Sequence, residues 1–199
     1  MSQAAFKPAT YDDLFDLPPN VTGQIIHGVL HAHPRPASPH AQTASSLSFE
    51  LGPPFHRGRG GPGGWWILIE PELHLGPHIL VPDLAGWRRE RMPQIPDVAY
   101  FELPPDWVCE VLSPSTAKLD RVDKLAIYAE FGISWAWLID PIARTLEIFA
   151  LDGAHWRLHA SHADDAEVKA PPFDAITLEL DALWLTSSKD AQAEKSSDG

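Results

Sequence analysis

Two acidic residues sit in otherwise apolar, strand-like runs of this chain: Asp83 closes His78-Ile-Leu-Val-Pro-Asp83, and Glu110 lies inside Trp107-Val-Cys-Glu-Val-Leu112. Short runs rich in β-branched and aromatic residues read as buried strands. A carboxylate is rarely left fully buried unless a counter-charge or a metal meets it. Whatever fold the chain adopts must therefore supply each acid with a partner. Hard divalent cations such as Mg²⁺ take oxygen ligands, commonly one or two carboxylates with water and substrate phosphate. Two convergent acids followed by a lysine, Lys124, form a set suited to metal-dependent phosphodiester cleavage.

The lysine falls in Asp120-Arg-Val-Asp-Lys124-Leu-Ala-Ile-Tyr128, where helical spacing places Asp120, Lys124 and Tyr128 on one face. Val122, Leu125, Ala126 and Ala129 are expected to form the apolar stripe of that helix. The same spacing also describes a solvated helix face carrying an Asp–Lys pair, and periodicity alone does not choose between the two.

Further motifs narrow the choice. Val81-Pro-Asp83-Leu84, Glu110-Val-Leu-Ser-Pro-Ser-Thr116, the Asp120 to Tyr128 helix, Gly132-Ile133 and Trp135-Ala-Trp-Leu-Ile-Asp-Pro141 together resemble the Uma2 family of endonucleases, formerly DUF820, within the PD-(D/E)XK nuclease superfamily. The similarity spans Thr10 to Trp184 and is densest from Val81 to Pro141. It implies a mixed α/β (α+β) chain with a restriction-endonuclease-like core, a mixed central β-sheet flanked by helices. It also implies a Mg²⁺ site, open to Mn²⁺, with Asp83, Glu110 and the backbone carbonyl of Val111 as ligands. Asp83, Glu110 and Lys124 become the expected catalytic set, nucleic acid, DNA first, the expected substrate, and a homodimer the expected assembly.

The superfamily name asks for a lysine two residues after the second acid, where Leu112 stands. In Uma2-like sequences the lysine sits on the next helix, and Lys124 matches that position. His40 matches a histidine at the start of the first core helix, and Glu72 matches an acidic position; with Tyr128 they are the accessory candidates. Gln24 and His27 depart from the Glu and Asp that the family usually carries there.

At 199 residues the chain fits one domain, with residues 1–9 as an N-terminal arm, 10–186 as the folded unit and 187–199 as an expected disordered tail. No apolar run approaches the roughly 20 residues of a membrane span, and the polar start lacks a secretory signal, so a cytoplasmic protein is expected. The lone Cys109 forbids an internal disulfide and reads as a buried, inert thiol.

The net charge of −12 argues against a surface that tracks many phosphates. Arg57, Arg59, Arg88, Arg89 and Arg91 are the clustered candidates for backbone contacts, and Trp65-Trp66 beside the glycine-rich loop is the candidate base-stacking pair. Two readings stand beside the nuclease. One is a nuclease fold used only as a nucleic-acid or protein binding module. The other is a metalloenzyme built on His31 and His33, whose alternate spacing puts both rings on one face of a strand.

The remaining pattern predicts a helix at Thr10 to Phe15 and strand structure over Gly23 to His33, bending at Gly28. A helix is expected from His40 to Leu51, and a strand series from Trp65 to Asp83. Strands follow at Trp135 to Ile139 and Thr145 to Leu151, with a hairpin at Asp152-Gly153.

Overall fold

A computed structural model describes residues 7–185. In chain order the elements are α1 (Asp12–Phe15), β1 (Val21–Ile26), β2 (Val29–Pro34), α2 (Ser38–Leu51), β3 (Trp65–Ile69), β4 (Leu73–Leu75), β5 (His78–Leu80), β6 (Leu84–Arg88), β7 (Trp107–Val111), α3 (Leu125–Glu130), β8 (Trp135–Asp140), β9 (Thr145–Asp152), β10 (His155–Ala163), β11 (Glu167–Val168) and β12 (Leu178–Glu179). π-helical segments follow α2 at Gly52–His56 and precede α3 at Leu119–Lys124. The expected tail at 187–199 and most of the arm at 1–9 lie outside the described residues.

Local chemistry sets several boundaries. Asp13 accepts hydrogen bonds from the Thr10 N–H at 2.6 Å and its hydroxyl at 2.9 Å, closing the first turn of α1. β1 and β2 are joined by His27 and Gly28, both at positive φ (51° and 73°), the conformation a two-residue hairpin turn with right-handed twist requires. Asp140 ends β8 by accepting from the N–H groups of Ile142 and Ala143, and the chain reverses into β9.

Strands β10-β9-β8-β7-β6-β3 form a six-stranded mixed sheet, and β2-β1-β5-β4 a second, antiparallel one. β7 and β8 run parallel because the Leu119 to Glu130 helical segment carries the chain back between them. Side chains alternate along β7 into two separate cores. Trp107 and Cys109 join Trp65, Trp137, Phe173 and Leu47 on the α2 side. Val108 joins Leu125, Ile127, Tyr128 and Leu138 on the α3 side, the side to which alternation also directs Glu110.

Two expectations are corrected. His78 to Asp83 is not one strand: β5 pairs with β1 and β4 in the smaller sheet, Val81-Pro82 crosses over, and Asp83 then leads β6 in the larger sheet. β6 itself went unassigned in the sequence because Ala85 and Gly86 are weak strand formers. Gly86 is there for space: a Cβ would meet Trp107 at 3.1 Å and Trp65 at 3.3 Å, so the bare backbone admits both indoles.

Candidate active site

Antiparallel pairing of Leu84 with Cys109 places Asp83 beside Glu110 at the end of β6 and β7. The contact is direct through the backbone: the Val111 N–H donates to Asp83 Oδ2 at 2.7 Å. Asp83 Oδ1 meets His40 Nε2 at 3.1 Å, so the third residue of α2 faces the acids as the family comparison implied. Burial alone would lower the His40 pKa, but the hydrogen bond and charge of Asp83 outweigh it and raise it.

Glu110 is 2 % exposed, and both its carboxylate oxygens are engaged. Lys124 donates to Oε2 at 2.6 Å, and the Tyr128 hydroxyl donates to Oε1 at 2.5 Å. Lys124 also reaches Asp120 Oδ1 at 3.3 Å. The face Asp120, Lys124, Tyr128 therefore points into the protein, and the solvated-face reading is excluded. Of the stripe expected at Val122, Leu125, Ala126 and Ala129 only Leu125 is buried: Val122 is 58 % exposed, and Leu119 and Ile127 join Leu125 in supplying the apolar contacts. The π-helical turn at Leu119–Lys124 widens the spacing there, which 3.6-residue periodicity does not anticipate.

Charge balance is the most informative property of the site. One buried ammonium faces Glu110, Asp120 and Asp83. Desolvation would lower the Lys124 pKa, but those three carboxylates together hold it raised. Burial pushes the Glu110 carboxyl up, to about 8, with Asp120 and Asp83 adding to the shift and Lys124 opposing it. Burial and the Glu110 carboxylate raise the Tyr128 hydroxyl, and burial raises the Cys109 thiol on the opposite face, so both stay protonated. An excess of negative charge in a low-dielectric pocket is relieved by a proton or by a cation. The oxygen-only donor set suits Mg²⁺ or Mn²⁺. Among the described residues no group of three or more His, Cys, Asp or Glu side chains is arranged to hold a metal by itself. Two carboxylates would thus need the Val111 carbonyl, water and phosphate to complete a shell.

The acids open onto a cavity of about 340 Å³ whose walls come from the β2–α2 connection and the Ser113 to Thr116 turn. His33, Arg35, His40 and Glu70 line it together with Asp83, Glu110, Asp120 and Lys124. Glu70 lies near Glu72 on the strand-like run before Asp83 and is weighed with it in the sequence, Glu72 being preferred; Arg35 is not singled out there, because a Pro-rich connection offers no periodic signal. Glu72, the accessory expected from the family pattern, lies elsewhere: it pairs with His74 at 2.7 Å. His33 lines the cavity and its Nε2 is buried without a partner, while its pKa is lowered by desolvation and then by His31.

The arginine expectation is corrected for Arg89 and Arg91. Arg88 and Arg89 lie at the far end of β6 from Asp83, with their guanidinium carbons 4.7 Å and 3.8 Å from the ring centres of Trp65 and Trp66. Arg89 further donates to the carbonyls of His56 and Trp65, and Arg91 pairs with Asp106 at 2.9 Å. Trp65 is 4 % exposed and Trp66 donates its indole N–H to the Met92 carbonyl, so this corner is packed structure rather than a stacking platform.

Comparison with known proteins agrees with this architecture. The sequence model of the Uma2 family, described as "putative restriction endonuclease", matches residues 9–182. A crystal structure from Anabaena variabilis, described as a "putative nuclease belonging to DUF820", superposes with a TM-score of 0.71 at 23% identity. The match covers 88% of this chain and 97% of that one, and at this identity it establishes the fold. No curated protein matches the chain. Among the described residues no helix is long and apolar enough to cross a membrane.

Proposed function

The chain belongs to the Uma2 family, a nuclease family of restriction-endonuclease type, and on that premise we propose that it is a Mg²⁺-dependent endonuclease acting on DNA in the cytoplasm through Asp83, Glu110 and Lys124. The observation that carries the reading is the surplus of carboxylates around one buried lysine at the floor of a cavity open to solvent.

In this reading Asp83, Glu110 and the Val111 carbonyl hold the ion, Mn²⁺ substituting for Mg²⁺. The chemistry it supplies when bound is polarisation of a phosphate oxygen and acidification of a water. The chain's own groups do the rest. The Val111 N–H and His40 fix the Asp83 carboxylate in one orientation, and Tyr128 fixes Glu110. Lys124, a compact point charge, orients the attacking water or stabilises charge growing on the phosphate. Arg35, on the cavity wall, is the candidate for a flanking phosphate. Cutting both strands of a duplex would use two copies of the site, hence a homodimer on its substrate.

A binding module without catalysis is the second reading. Its support is that every carboxylate oxygen of Asp83 and Glu110 already accepts a bond from a protein group. Supercoiled plasmid and labelled single strands, incubated with Mg²⁺, Mn²⁺ or EDTA, decide between them when wild type is compared with an identically purified Glu110→Gln protein. Metal-dependent cutting lost in the variant establishes the nuclease. No cutting by either protein favours the module, and equal cutting by both means contamination. The His31/His33 reading gains no observation: no third ligand is gathered around that pair among the described residues.

A further inference from the structure

The reading above uses Asp83, Glu110 and Lys124, and leaves one buried acid without a part. Asp120 is 3 % exposed, lines the same cavity, and sits 3.3 Å from Lys124 across one helical turn. It is the second carboxylate on an ammonium whose first partner, Glu110, is closer at 2.6 Å. A duplicate partner is hard to explain by stability alone. A buried acid costs desolvation, and a single well-made pair already satisfies a buried lysine.

The duplication makes sense if Glu110 has to change partners. A cation bound to Glu110 withdraws carboxylate charge from Lys124 and places positive charge beside it. With no other anion in reach, Lys124 would then be a buried ammonium without compensation, a strongly unfavourable state. Asp120 prevents this, because its contact to Lys124 belongs to the helix and does not depend on Glu110. The i, i+4 spacing fixes it within one segment, whatever happens at the end of β7.

We propose that Asp120 is a positioning residue that retains Lys124, charged and in place, when the Glu110 carboxylate is given over to a divalent cation. The proposal rests on the metal-dependent reading of the site. It assigns Asp120 no contact with the cation and none with the scissile phosphate. It separates the two acids that touch the lysine: Glu110 is shared between lysine and metal, and Asp120 is kept for the lysine.

The test is Mg²⁺ and Mn²⁺ binding by calorimetry to the full chain and to Asp120→Asn, Asp120→Glu, Lys124→Met, the double variant Asp120→Asn/Lys124→Met, and Glu110→Gln. Thermal unfolding without metal is measured in parallel. Asp120→Asn is expected to weaken cation binding by about tenfold, a typical coupling between contacting charges. Asp120→Glu should recover most of that affinity, since the longer acid can still reach the ammonium. In the Lys124→Met background the same Asn substitution should change affinity by less than about threefold. An equal loss in both backgrounds would make Asp120 a direct ligand and overturn the proposal. A lower unfolding midpoint with unchanged cation affinity would reduce Asp120 to a structural role and also overturn it. Should Lys124→Met fail to fold, Lys124→Gln, which keeps a donor to Glu110 without the charge, serves as the background in its place. Absence of cation binding by wild type defeats the nuclease reading itself, whereas binding lost in Glu110→Gln and intact in Asp120→Asn defeats the Asp120 proposal alone.

Discussion

The two ends of β6 carry opposite charge chemistry. At its start Asp83 joins Glu110, Asp120 and Lys124 around a cavity, with two acids on one buried ammonium and Asp83 acting on it through its charge. At its end, about 15 Å away by strand rise, Arg88 and Arg89 lie over indoles and backbone carbonyls take up the second guanidinium. Basic residues are plentiful at that end, but Arg89 and Arg91 have donors committed to the protein itself. The other end has a charge imbalance that the protein leaves for a ligand to complete. Local neutrality marks scaffold, and uncompensated charge marks a site.

That contrast can be broken by substitution. The largest effect is expected for Glu110→Gln, which should lower metal-dependent cleavage by about 10²- to 10³-fold, read from initial rates on plasmid. Lys124→Met should destabilise the fold by about 3–5 kcal/mol at neutral pH, because Asp120 is left buried without its cation and Glu110 without its donor. Denaturant midpoints check this, and adding Glu110→Gln to the same protein should recover part of the loss.

pH sharpens the comparison at the acidic end. Glu110 keeps its proton until about pH 8, so proton and cation compete for one carboxylate below that value. Mg²⁺ affinity should rise by up to about tenfold per pH unit on approaching pH 8 and flatten above it. Calorimetry at pH 6, 7, 8 and 9 reads the slope directly, and a flat profile would remove Glu110 from the metal site.

Smaller effects are expected from the scaffold. Gly86→Ala pushes a Cβ against Trp107 and Trp65 and should cost about 1–3 kcal/mol without altering the metal dependence of cleavage. Arg89→Ala should cost about 1 kcal/mol through lost stacking and hydrogen bonds, with cleavage per folded molecule unchanged. A cleavage defect in Arg89→Ala would mean that the arginine end touches substrate after all.

Much of the site was legible because its parts contradict their surroundings. Glu110 stands out as a letter in Trp107 to Leu112, whereas Lys124 stands out through the family motif around it, and the inward turn of its helix face is visible only in the fold. The strands β7, β8, β9 and the hairpin into β10 were equally readable from β-branched and aromatic runs closed by Asp-Pro and Asp-Gly. β6 was not, because its sequence answers to the two indoles packed over Gly86 rather than to strand propensity. Glu72 looked equivalent to Glu70 by spacing, and only the path of the chain between the two sheets assigns Glu70 to the cavity wall and Glu72 to His74. The arginine cluster misled for a related reason: a one-dimensional run of cations does not record which of them already have partners.

The separation in sequence of the site's contacts has a consequence for its order of assembly. Lys124 and Tyr128 are only 14 and 18 residues from Glu110, whereas His40 reaches Asp83 from 43 positions away. Closing a short loop costs less chain entropy than closing a long one. The Glu110–Lys124–Tyr128 triad can thus form as β7 and α3 come together in a nascent chain, with no need of α2. Docking of His40 onto Asp83, which shuts the wall of the cavity, closes the longer loop and carries the larger entropy cost. Both partners of the His40–Asp83 pair precede Glu110 in the chain, so wall and triad are two separate closures, and the fully formed pocket requires both.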